Sequence, residues 1–153
     1  MKKSFYLAAG LFVLASAFQF GSAQDKPAEK AATRTLKVNV KYTGSGTVDD
    51  KHKIQVFLFD TPDFMQGNAM PTGMQMTAAK NGTVTFSDIG SSPVYTAAIY
   101  DPTGGYDGAS GPPPSGSSAG LYTKEPPKPT PISIDAGKTV EVDLPFDDTI
   151  KMP

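Results

Sequence analysis

Leu36-Lys37-Val38-Asn39-Val40-Lys41-Tyr42 alternates apolar and polar residues at every step. That is the period of a pleated strand with one dry face and one wet face; on a helix the same residues would scatter around the circumference. The pattern returns near the other end of the chain, where Val140, Val142, Leu144 and Phe146 alternate with Glu141, Asp143 and Pro145. Pro145 has no N–H for a ladder, which marks an edge or a strand end. Between these two, Ile54 to Phe59 is apolar except for Gln55. It is short and rich in β-branched and aromatic residues, so it predicts a central strand. Gly73 to Lys80 predicts another strand. Asn81-Gly82 then reads as a tight turn into Thr83–Ile89, making a hairpin. Val94–Tyr100 and a short piece at Ile132 and Ile134 complete the set. About seven strands and no helix predict an all-β, antiparallel two-sheet sandwich of immunoglobulin- or transthyretin-like outline.

The sandwich is expected over residues 35–148, with a polar, Ala/Lys-rich leader (24–34) before it and a short tail (149–153) after it. Inside it, Asp101 to Pro131 shows no hydrophobic period and is rich in Gly and Pro. Irregular segments of that length inside a compact domain are usually functional or disordered. Pro112–Pro114 and Pro126–Pro131 favour extended polyproline conformations that suit a stiff surface or a spacer.

The first 23 residues carry an address. Lys2 and Lys3 precede an apolar run from Phe5 to Phe18, and Gly21-Ser22-Ala23 supplies small residues before a polar stretch. That is the layout of a cleaved signal peptide, and the run is short for a membrane span. The expectation is export, to the periplasm or the outside, in a bacterial cell envelope. Cleavage leaves 130 of 153 residues, and the loss of Lys2 and Lys3 takes the formal charge from −1 to −3. Nucleic acid is an unsuitable partner for such a chain, and no polybasic or lipid anchor is expected. With no cysteine, disulfides, thiolate metal sites, iron–sulfur clusters and thiol nucleophiles are excluded.

The order of segments resembles an uncharacterised family of exported bacterial β-sandwich domains and, more distantly, the transthyretin-like regulatory domains of carboxypeptidases. The resemblance rests on the Leu36–Tyr42 strand, Val56-Phe57-Leu58-Phe59-Asp60, Gly82-Thr83-Val84-Thr85-Phe86, Tyr100-Asp101 with the glycine-rich acidic loop, and Ala136-Gly137-Lys138-Thr139-Val140. It implies the sandwich fold over about Thr35 to Asp148 and no assigned activity. In that family the loop after the central strand is often rich in Asp and Asn, as for a cation. Here Asp101 and Asp107 keep the ends, while Pro102, Thr103, Gly104 and Gly105 replace the middle.

The candidate sites follow from side-chain chemistry. Asp101, Thr103 and Asp107 offer oxygens to a calcium ion, though Gly105 and Pro112 occupy positions where an EF-hand needs ligands. Met70, Met74 and Met76 offer thioethers to copper(I), although Met74 and Met76 share a strand face and packing explains them equally. Phe64, Tyr106 and Tyr122 are loop aromatics of the kind that stack on sugars. His52 lies in a charged turn, with no nucleophile elbow elsewhere, and the Asp49-Asp50 and Asp147-Asp148 neighbours point to opposite faces in extended chain. The sequence therefore reads as an exported, non-catalytic, cofactor-free binding or structural module. Its 101–131 loop is the contact surface, with Tyr106, Asp107 and Tyr122 meeting a cell-envelope protein or glycan. The competing reading is metal handling, by calcium at the acidic loop or copper at the methionines.

Overall fold

A computed structural model describes residues 32–153; the signal peptide and the leader up to residue 31 lie outside them. The strands are β1 (Arg34–Tyr42), β2 (Ile54–Phe59), β3 (Gly73–Thr77), β4 (Asn81–Ile89), β5 (Tyr95–Tyr100), β6 (Ser118–Leu121) and β7 (Thr139–Phe146). They form a three-stranded sheet in the order β4-β1-β7 and a four-stranded sheet in the order β3-β2-β5-β6. All pairs are antiparallel except β1 and β7, which run parallel.

Register follows the alternation in β1. Leu36 pairs with Phe86 and Val140, and Val38 with Val84 and Val142. All of these point into the space between the sheets, against Ile54, Val56 and Leu58 from β2. Each such side chain taken fully from water stabilises the fold by about 1.5–3 kcal/mol. On the outer face of the same sheet, Asn39 donates to Glu141 and Asp143 at 2.7 and 3.2 Å and accepts from the Thr83 hydroxyl at 2.7 Å. A one-residue slip would exchange these two faces, so burial fixes the pairing.

The structure departs from the sequence expectation in three places. Asn81-Gly82 does not make a hairpin, because β3 belongs to the four-stranded sheet and β4 to the three-stranded one. The chain crosses between sheets at Ala78–Lys80, which lets Val84 and Phe86 face the core. Ile132 and Ile134 are buried, but they contribute a single bridge to Val94 in place of a strand. The seventh strand is β6, inside the segment that carried no pattern. Its Gly120 lies under Phe146, where a Cβ would come within 2.6 Å of the Phe146 Cβ and Cγ. Only glycine admits that ring.

The tail is also engaged. Ala119 donates its N–H to the Ile150 carbonyl at 2.9 Å, and Met152 donates to the Ser117 carbonyl at 2.8 Å. The chain thus leaves β7 in one sheet and covers the edge of β6 in the other. At this end of the core Tyr42 packs against Tyr100 and Phe146, with ring centroids 4.8 and 4.9 Å apart.

Candidate binding surface

β2 is buried on both faces. One face lies in the main core. The other carries Phe57 and Phe59, which with Ile99 of β5 form a second apolar cluster on the outside of the four-stranded sheet. A bare cluster there would cost solubility. Phe64, from the short 3₁₀ turn Pro62–Gln66, stacks on Phe59 with centroids 4.1 Å apart. Tyr106 lies over Phe57 at 6.4 Å.

Tyr106 is placed there by Asp101. This residue ends β5 and is almost wholly buried. Its carboxylate accepts the N–H groups of Thr103, Gly105 and Tyr106 at 2.8, 3.0 and 2.9 Å, together with the Thr103 hydroxyl at 2.8 Å. Burial alone would raise its pKa. The Thr103 N–H and hydroxyl, then the Tyr106 and Gly105 N–H groups, more than offset that and hold it below the usual range. Gln55 of β2 donates from Nε2 to the Tyr106 carbonyl at 2.5 Å, tying the loop down onto the sheet.

Asp107 repeats the device one turn on. It accepts from the N–H groups of Ala109 and Ser110 and from the Ser110 hydroxyl. The Ser110 hydroxyl first, then those N–H groups, bring its pKa down to about 2. Gly108, at φ 77°, lies so close to Met74 and the Phe57 ring that a side chain would collide with the Met74 sulfur. The segment 101–117 is therefore a folded arm across the sheet, with five of its backbone N–H groups held by its own carboxylates.

The first turn of this arm meets the β1–β2 loop. Gly104, at φ 72°, abuts Lys51 and His52; a Cβ would stand 2.6 Å from the Lys51 carbonyl oxygen. The β1–β2 loop is itself organised by a carboxylate. Asp49 accepts from the Lys51 and His52 N–H groups at 2.9 and 2.8 Å, and its Oδ1 lies 2.9 Å from His52 Nδ1. Its pKa is lowered, by the His52 N–H first and the His52 ring next. Between the two loops opens a cleft of about 360 Å³, lined by Ser45, Gly46, Thr47, His52, Tyr100 and Pro102. Tyr100 donates its hydroxyl to the Thr47 carbonyl at 2.8 Å, holding the loop above the buried ring. Burial, then the charges of Asp148, Asp49 and Asp101, raise the Tyr100 pKa. The lining residues bring two aliphatic hydroxyls, an imidazole, a glycine and a proline, with the almost wholly buried Tyr100 beneath them.

The residues singled out from sequence divide among these features. Tyr106 and Asp107 lie together on the arm. Tyr122 follows β6 and packs against the main core, on the opposite side of the sheet from Tyr106. Asp101, Thr103 and Asp107 are bonded to their own loop, and among the described residues no three His, Asp or Glu side chains converge as a metal would need. Met74 lies under the arm, Met76 follows it on the same face and is half-exposed, and Met70 is open to solvent. Ser45 and Thr47 were not singled out from sequence; the Gly44-Ser45-Gly46 run beside them was the available signal. No protein-family model matches this chain, and no curated protein or solved structure does either.

Proposed function

We propose that this chain is an exported, non-catalytic binding module of the bacterial cell envelope, which takes a polyhydroxylated glycan segment in the cleft between its β1–β2 loop and the 101–117 arm. The observation that carries this reading is that both loops are folded in advance around buried or half-buried carboxylates, so their exposed groups are presented without an ordering cost at the moment of contact. Sugars are recognised by hydrogen-bonding side chains beside an aromatic surface. Ser45, Thr47 and His52 supply the hydrogen-bonding groups, and on the arm the half-buried Tyr106 supplies a ring beside Asp107.

Titration with soluble cell-wall glycan fragments, followed by amide chemical shifts, tests the reading. Shifts are expected at Thr47, His52 and the 101–108 turn, and His52→Ala should weaken binding by roughly tenfold at unchanged melting temperature. Tyr122→Phe should leave binding as it was. Fragments that perturb none of these amides, or a His52→Ala protein that binds undiminished, defeat the proposal.

A further inference from the structure

The two sides of the sandwich are finished differently. On the β6/β7 side, the tail pairs with β6 from Ile150 to Met152, and β7 carries Glu141, Asp143 and Pro145. Charge, proline and a covering segment are the devices that keep a sheet edge from pairing with another chain. On the other side β3 lacks them. Gly73-Met74-Gln75-Met76-Thr77 has no charge, no proline and no bulge, and it terminates the four-stranded sheet. Among the described residues its backbone hydrogen bonds run to β2 alone. β4 is uncharged up to Asp88, where a positive φ of 56° turns the strand end. Three of the four large exposed apolar side chains among the described residues lie in β3 or in the segment leading into it, Met76 at 47%, Met65 at 51% and Met70 at 81%; the fourth, Ile150, lies in the tail.

We propose that the free edge of β3 is where two copies of this chain meet, antiparallel about Gln75, joining two four-stranded sheets into one of eight. An isologous contact needs a self-complementary strand. In this register Met74 of one copy faces Met76 of the other, Gly73 faces Thr77, and Gln75 faces its own counterpart, with no like charges opposed. The leader is a poorer occupant: residues 24–31 contain Asp25, Lys26, Pro27, Glu29 and Lys30, which suit neither an uncharged edge nor a β ladder. The patch is smaller than those of obligate dimers, so the pair forms reversibly, with a Kd on the order of 10–1000 μM.

The absence of cysteine makes the test direct, since a single introduced thiol can form only intermolecular disulfides. In the full chain, Gln75→Cys should oxidise to a covalent dimer roughly tenfold or more faster than Thr85→Cys on β4 or Glu141→Cys on β7, because pairing raises its effective concentration. Sedimentation velocity of the unaltered protein should show a dimer growing with concentration, and Met76→Lys should raise its Kd by about tenfold or more at unchanged melting temperature. Equal oxidation rates at the three positions, faster trapping at Thr85→Cys, or a protein still monomeric at about 1 mM overturns the proposal.

Discussion

Asp148 accepts the hydroxyl protons of Tyr42 and Ser118, each at 2.6 Å, and the N–H and hydroxyl of Ser45 at 2.8 and 2.9 Å, with Lys151 Nζ 3.2 Å away. These partners come from β1, β6, the β1–β2 loop and the tail. One carboxylate thus fastens both sheets at one end. The Ser118 hydroxyl, then Tyr42 and the Ser45 N–H, hold its pKa far below the usual carboxylate range. In return, burial and then the bond to Asp148 push the Tyr42 hydroxyl up to about 12. Asp148→Ala leaves the Tyr42 hydroxyl unpaired and the Ser118 hydroxyl held by Lys151 alone, and should destabilise the fold by about 1–3 kcal/mol. Urea denaturation measures this, and a loss under about 0.5 kcal/mol would remove Asp148 as a fastening point. In the sequence, Asp147-Asp148 was only a pair of neighbouring acids. Lys151 apart, its partners lie about a hundred positions back along the chain, or thirty in the case of Ser118, and no local pattern announces them.

β2 and β6 mark the two extremes of what local pattern reveals. Ile54–Phe59 needed no context: a short run apolar at every position but Gln55 asks for cover on both faces, and the structure supplies it from the main core and from the arm. Ser118-Ala119-Gly120-Leu121 has no such signature. It is a strand because β5 offers an edge and because Gly120 leaves room for Phe146. Gly120→Val should therefore cost about 1–3 kcal/mol through displacement of that ring. Amide exchange should quicken at Ala119 and Leu121 before it does in β1. Thermal melting with exchange mass spectrometry checks both; an unchanged melting temperature would mean the ring has space elsewhere. The misread hairpin has a similar origin. Asn81-Gly82 is compatible with a tight turn, but burying Val84 and Phe86 against Leu36 and Val38 was worth more than pairing β4 with β3.

Across the molecule, lowered carboxylates organise every loop around the cleft: Asp49, Asp101, Asp107 and Asp148. Each has a folded-state pKa below its unfolded value near 4. Their contribution is therefore complete above that value and is lost as pH falls through the folded values, reaching about 2 for Asp107. Melting temperature should be level from about pH 6 to 8 and fall steadily below about pH 4. Asp101→Asn should flatten part of that fall while loosening the arm to proteolysis. A melting temperature constant down to about pH 2.5 would show that these bonds add nothing.

The chain's own pattern determined that it builds strands, which residues face inward, and that the interior depends on apolar burial in place of disulfides, because a period of two and the lack of cysteine are local facts. Tertiary structure alone decided which strands are neighbours, that β1 and β7 run parallel, that an unpatterned segment lies folded over Phe57, and that His52, Thr47 and Tyr100 border one cleft. Those outcomes rest on competition among distant groups for the same buried surface and the same hydrogen bonds, and that competition is settled only when the whole chain has closed.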